Sequence, residues 1–209
     1  MSKYFSNIDI WNPTIMRLNF EIAVAKHNAK FARDESYKIP LDKIFRQITH
    51  GYIDGRKMKK YLTPDGDIPT SSEIWRILNC IRTIDDSSAF YAENDLYTLG
   101  IFLDEKASIA INDAIDEVKE YAKSFSDGKD EKYYILVYKM LYCMRTQVVL
   151  TFQDWYLRGK NKGLRSTNLK NLRIFTVKSL KQSIKDNPEE AWEKMIFKDD
   201  DSGLLPKVI

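Results

Sequence analysis

Histidine, cysteine, glycine and proline are all scarce in these 209 residues, and each shortage narrows what the chain can be. Eight glycines and six prolines are too few for a many-turned all-β fold or for a disordered chain. The two cysteines, Cys80 and Cys143, sit inside apolar helical patterns and form no metal-like pair, so they read as reduced, packed thiols of an intracellular protein. No GxSxG elbow, GxxxxGK[ST] loop, GxGxxG turn or HExxH helix occurs, and neither cysteine has a histidine near it in sequence. These absences weaken the case for an enzyme without closing it, since catalytic groups can converge from distant positions. No cofactor and no metal are expected. The opening MSKYFSNIDIW lacks a basic region followed by an apolar stretch, so no export signal is read and a cytoplasmic protein is expected.

What the chain does have is one long apolar stretch, Tyr133–Leu157, in which only Lys139, Arg145 and Asp154 carry charge. A helix apolar on nearly every side must be wrapped by other elements, which makes this the expected central helix of a helical domain. Its charges, with Gln147 and Gln153, interrupt the uncharged run that hydrocarbon requires, so no membrane span is expected. With 44% hydrophobic residues the chain can bury a sizeable core, and its length suits one domain over residues 1–209. The expected fold class is all-α: a single-domain bundle of about seven helices around 133–157.

The other elements follow from capping and spacing. Asn12 caps a helix with Pro13 at its first position and Trp11 placed for a hydrophobic staple. Along it Ile15, Leu18, Ile22, Ala25 and Ala29 form one stripe. Met16, Phe20, Val24, His27 and Phe31 form a second, so burial on two sides is expected, with His27 a packed core histidine. A shorter helix, Leu41–His50, ends at Gly51, which suits a left-handed residue after the C-cap. Residues 51–70 read as an irregular connection with one helical turn around a basic segment. Ser71 or Ser72 caps the next helix, with Ile74, Trp75, Leu78, Ile81 and Arg82 on its apolar face and border. A break near Asp85–Ser88 precedes further helix over Phe90–Leu103. Asp104–Phe125 is strongly amphipathic, Ile111, Ile115, Val118, Ala122 and Phe125 facing one way and Asp113, Asp116, Glu117 and Glu120 the other. After Ser126–Gly128 comes the central helix and then a two-glycine break. Leu169–Lys185 is amphipathic, although LRIFTV admits a strand; Pro188 starts a last helix carrying Trp192 and Ile196, and residues 199–209 form a polar tail.

Charge is sharply polarised. Between Trp155 and Lys185 lie nine basic residues, Arg158, Lys160, Lys162, Arg165, Lys170, Arg173, Lys178, Lys181 and Lys185, and no acid. Between Asp85 and Glu131 lie thirteen acids against four lysines. A basic run of this length can neutralise phosphates and release counterions, so these nine residues are the candidate nucleic-acid or polyanion surface, with Trp155 and Tyr156 at its edge for stacking. The bland alternative is that basic and acidic faces pair with each other within the chain or across a homo-oligomer. The acidic row Asp113, Asp116, Glu117 and Glu120 has its own reading, a docking face for a protein partner of the kind an immunity or antitoxin-like inhibitor uses. Carboxylates at this spacing could also hold Mg²⁺, as in helical pyrophosphohydrolases, but a second acidic helix motif is missing. A third reading is a small helical RNase using Arg46 and His50, one turn apart, as phosphate binder and acid/base group, their spacing one residue shorter than that class uses. The reading carried forward is a non-enzymatic binding protein.

Overall fold

The computed structural model describes residues 11–33, 46, 49–100, 103, 105–159 and 176–197. Among them are eight α-helices, one π-helical segment and no strand, the all-α class that the periodicity implies. Asn12 Oδ1 accepts the Ile15 amide at 3.0 Å, so α1 (Pro13–Arg33) begins at its capping residue. The ring of Trp11 is buried and stands edge-on to Tyr61 at 6.4 Å. Ile15, Leu18, Ile22, Ala25 and Ala29 are all buried as the first stripe requires. In the second stripe only Met16 is buried; Phe20, Val24 and His27 are half-buried and Phe31 is exposed. The faces between those stripes carry buried polar groups instead, Asn19 and Lys26 among them.

Of the expected helix Leu41–His50, only Arg46 is described before Thr49, and it is helical. Gly51 N–H reaches back to Arg46 C=O at 3.0 Å and Tyr52 N–H to Thr49 C=O at 3.0 Å, the closing pattern of a helix C-terminus. His50 itself takes the left-handed conformation (φ 51°), one residue before the glycine expected there, and Gly51 follows at φ 80°. Within 51–70 the helical turn is α2 (Gly55–Tyr61), capped by Asp54, whose carboxylate accepts Lys57 N–H at 2.8 Å. Gly66 closes the following turn where a Cβ would lie 1.7 Å from the Lys60 carbonyl oxygen, so no other residue fits.

Thr70, not Ser71 or Ser72, caps α3 (Ser71–Ile84), and it does so as a full capping box with Glu73. Ile74, Ile77, Leu78, Cys80 and Ile81 are buried, while Trp75, expected on the apolar face or its border, is 56% exposed. Asp85 breaks the chain and caps α4 (Asp86–Asp95), which runs directly into a π-helical segment, Leu96–Gly100. Next come α5 (Glu105–Phe125) and, after a turn with Asp127 and Gly128 both left-handed, α6 (Asp130–Gly159). Phe125, assigned to the core stripe of α5, is 52% exposed at its last turn. After residues outside the description, Thr176 caps α7 (Val177–Lys185), so residue 177 is helical and 169–175 lie outside the described residues. The last helix is α8 (Glu189–Phe197), with Trp192 and Ile196 buried. The tail expected over 199–209 also lies outside the described residues.

The central helix is α6, and α1 lies along it more extensively than any other described pair, with α5 and α7 also against it. From Val137 to Arg145 every side chain but Tyr142 is buried, so the middle of this helix is wrapped on nearly all sides. The stretch Asp130–Gln153 is nevertheless long and apolar enough, by length and composition, to cross a membrane, against the expectation drawn from its charges; half of that window is buried inside the fold. Trp192 of α8 meets Tyr138 and Tyr142 edge-on at 6.4 and 5.9 Å.

Buried charge sets the register of these helices. Arg145 Nε and Nη2 donate to the two oxygens of Asp95 at 2.7 and 2.8 Å, Asn19 Nδ2 donates to Asp95 at 3.0 Å, and the guanidinium lies 4.0 Å from the Tyr91 ring centre. Lys26 donates to Asp85 at 2.6 Å, both side chains nearly out of solvent. Lys139 donates to Glu189 of α8. Removing one member of a buried pair strands its partner, so Asp95→Ala should lower the unfolding free energy by about 3–5 kcal/mol in urea titrations. A loss no larger than that of an exposed acid would refute this role.

Glu73 supplies a pH test. Partial burial raises its affinity for a proton, but the Lys57 ammonium at 2.6 Å and the Thr70 N–H at 2.8 Å outweigh that and bring its pKa down to about 2. A carboxyl with a depressed folded value contributes stability above its unfolded pKa of 4.5, and that contribution is lost as pH falls toward 2. The urea midpoint of Glu73→Gln should therefore lie below wild type at pH 6 and converge with it only as pH falls to about 2 and below.

Candidate functional site

Helix α5 puts its acidic row where the periodicity places it. Asp113, Asp116, Glu117 and Glu120 are all exposed, opposite the buried Ile111, Ala114, Ile115, Val118 and Ala122. The row is not uniform. Asp116 accepts from Arg17 Nη2, and the same guanidinium donates through Nη1 to Asn112 Oδ1 at 2.8 Å, which ties this edge of α5 to α1. Lys119 reaches Glu21 of α1 at 2.8 Å. Asp113, Glu117 and Glu120 make no ion pair among the described residues, and Ile109, one turn before Asp113, is 51% exposed beside them.

The basic run is described only at its ends. Arg158 falls in the last turn of α6, and Lys160, Lys162, Arg165, Lys170 and Arg173 lie outside the described residues. Lys178, Lys181 and Lys185 occupy α7. Lys178 and Lys185 are exposed; Lys181 is half-buried, its ammonium 4.0 Å from the Tyr121 ring centre and 5.2 Å from that of Phe125. Those two rings belong to the last turns of α5, and they tilt against each other at 4.9 Å. The side of α5 that α7 meets is therefore aromatic. None of the three α7 lysines pairs with a carboxylate among the described residues.

Arg46 and His50 are both exposed, but the left-handed backbone at His50 takes it off the helical path. Among the described residues no three His, Cys, Asp or Glu side chains stand close enough to share a metal ion, the acidic row included. Cys80 and Cys143 are free and buried, and burial pushes both thiols up to about 12, which leaves no thiolate nucleophile at neutral pH.

Two groupings escaped the periodicity. Asp95 directly follows Glu93 and Asn94, but of its neighbours three and four residues away on the helix Tyr91, Ala92 and Leu99 are apolar, and that helical face is the signal that it is buried and paired. The other is a contact between Tyr52 and Arg76, from segments that read separately as loop and helix: the guanidinium lies 4.5 Å from the ring centre.

No protein-family model, curated protein or solved structure matches this chain. The site must therefore be argued from its own charges. Because Asp113, Glu117 and Glu120 are exposed and unpaired among the described residues, neutralising all three as Asn, Gln and Gln should change the unfolding free energy by less than about 0.5 kcal/mol. A large loss in urea titration would mean that the row is structural.

Proposed function

We propose that this protein is a non-enzymatic, cytoplasmic binding protein whose basic run, Arg158 through Lys185, engages nucleic acid or a similar polyanion. One observation carries the reading: the three lysines of this run that lie among the described residues are not discharged on the acidic row. In the described part Asp116 goes to Arg17 and Lys119 to Glu21, both links to α1, while Lys178, Lys181 and Lys185 have no carboxylate partner there. Cations with no internal partner are available to phosphates, and each phosphate met releases counterions from the polyanion. Free, buried thiols suit the reducing compartment assumed here.

A second reading keeps the acidic face. Asp113, Glu117 and Glu120, with exposed Ile109 at their head, would suit a basic protein partner.

Fluorescence anisotropy of labelled single- and double-stranded DNA and RNA across a salt series separates the two. Wild type should bind saturably, log affinity falling linearly with log salt. Replacing Arg158, Lys160, Lys162 and Arg165 with Ala should flatten that slope by roughly 3 for a single strand, at about 0.7 per phosphate contact. An unchanged slope in the variant, or no binding by wild type at low salt, would reject the basic run and move attention to the acidic face.

A further inference from the structure

Away from α7, a second cationic group forms around the turn between Arg46 and Asp54. The Gly51 N–H bond to Arg46 C=O and the Tyr52 N–H bond to Thr49 C=O fold this segment back on itself. Arg76, from α3, donates through Nη1 to the Thr49 carbonyl at 3.1 Å and lays its guanidinium 4.5 Å from the Tyr52 ring centre. Tyr52 remains 65% exposed with that cation beside it. Arg46 and Arg56 are both exposed, and both act on one carboxylate, Asp54, which is already engaged by the Lys57 N–H as the cap of α2. Asp54 sits below the ordinary carboxylate range, first because of that N–H and then through the neighbouring arginines. Lys57 is spent on Glu73, and Lys60 lies 3.8 Å from Asp67. That leaves Arg46, whose carbonyl meets the Gly51 N–H, and Arg56, at the start of α2, exposed on either side of the open Tyr52 ring in the chain, with no ion pair among the described residues.

We propose that Tyr52, steadied by Arg76 and with Arg46 and Arg56 exposed before and after it in the chain, is a docking site for single-stranded nucleic acid, a base stacking on Tyr52 and phosphates meeting the two arginines. The choice of occupant follows from the combination. Arginines alone serve any polyanion, whereas an exposed aromatic ring held by a turn adds a face for a base, and duplex DNA keeps its bases stacked on each other. The guanidinium beside the ring fixes its orientation and brings a positive charge to where the sugar–phosphate chain would pass. The inference rests on the nucleic-acid reading above but uses different residues, so the two can fail separately.

The experiment compares a labelled twelve-nucleotide oligothymidine with an abasic strand of the same length, by anisotropy over a salt series. Wild type should prefer the strand with bases by about tenfold, within the range of one aromatic stack. Tyr52→Ala should erase that preference while leaving the abasic strand bound as before, and Tyr52→Phe, which keeps the ring, should retain it. Arg46→Ala with Arg56→Ala should reduce the salt slope by roughly 1.4. An unchanged preference in Tyr52→Ala, or equal affinity of wild type for the two strands, overturns the docking site. If the preference survives Tyr52→Ala while the Arg158, Lys160, Lys162 and Arg165 variant loses binding, the basic run stands and this inference falls. The reverse pattern leaves Tyr52 as the working surface and rejects the basic run. Circular dichroism of each variant keeps loss of fold separate, and Tyr52, at the surface, can be truncated without emptying the core.

Discussion

Three helices meet at one carboxylate with 1% of its residue surface left to solvent. Asp95 lies at the end of α4 and takes donors from Asn19 on α1 and Arg145 on α6. Removing such charges from water costs several kcal/mol for each ion, and their attraction offsets that cost only when the remaining lone pairs and protons are also satisfied. Here they are: two guanidinium N–H groups and one amide cover Asp95, and the Tyr91 ring lies against the cation. The donors come from separate helices, so sliding any one of them along its neighbour uncovers a buried charge. Apolar packing between α1 and α6 alone would tolerate more registers than this, because leucine and alanine ridges repeat every turn.

The same logic runs the length of α1. Thr14 accepts from Asn112 at 2.7 Å, Arg17 reaches Asn112 and Asp116, Asn19 reaches Asp95, Glu21 accepts from Lys119 and Lys26 donates to Asp85. Two of those links go to Asp85 and Asp95 at the two ends of α4 and four to α5, and between them the apolar stripe packs on α6. This helix is therefore central in a way its sequence understates. Its polar residues look like a solvated face until the partners on other helices are known.

That is also where legibility in the sequence ends. Periodicity and capping locate α1, α3, α5 and α6, because those signals are local: Asn12 before Pro13, the carboxylate row opposite Ile111 and Ile115, and the apolar run around Met140 that only Lys139 and Arg145 interrupt. Local signals also err locally. Thr70 outcompetes Ser71 as the cap because only from Thr70 can Glu73 return a bond to the cap's own N–H, and His50 takes the left-handed position expected of Gly51. Pairing between distant residues has no such signature. Arg145 stands out in the sequence as a charge inside the apolar stretch, yet its partner Asp95 is named only by the fold, fifty residues away in sequence. The Tyr52–Arg76 contact is likewise invisible before the 46–54 turn closes.

Charge at the surface divides by the same criterion. Of the acids that make the middle of the chain so negative, Asp85, Asp95 and Asp116 are consumed by partners on α1 and α6, and these hold helices together. Asp113, Glu117 and Glu120 remain on the outside of α5. The α7 lysines do not reach them. The end of α5 presents Tyr121 and Phe125 to that side, and Lys181 settles over their rings instead of over a carboxylate. A cation held above an aromatic face keeps much of its field, since a ring quadrupole neutralises less than a full negative charge does. In the described structure Asp113, Glu117 and Glu120 on α5 and Lys178, Lys181 and Lys185 on α7 are thus left without partners of opposite charge among the described residues. It is this failure to cancel, and not the net charge of +3, that makes the chain a candidate for binding something charged.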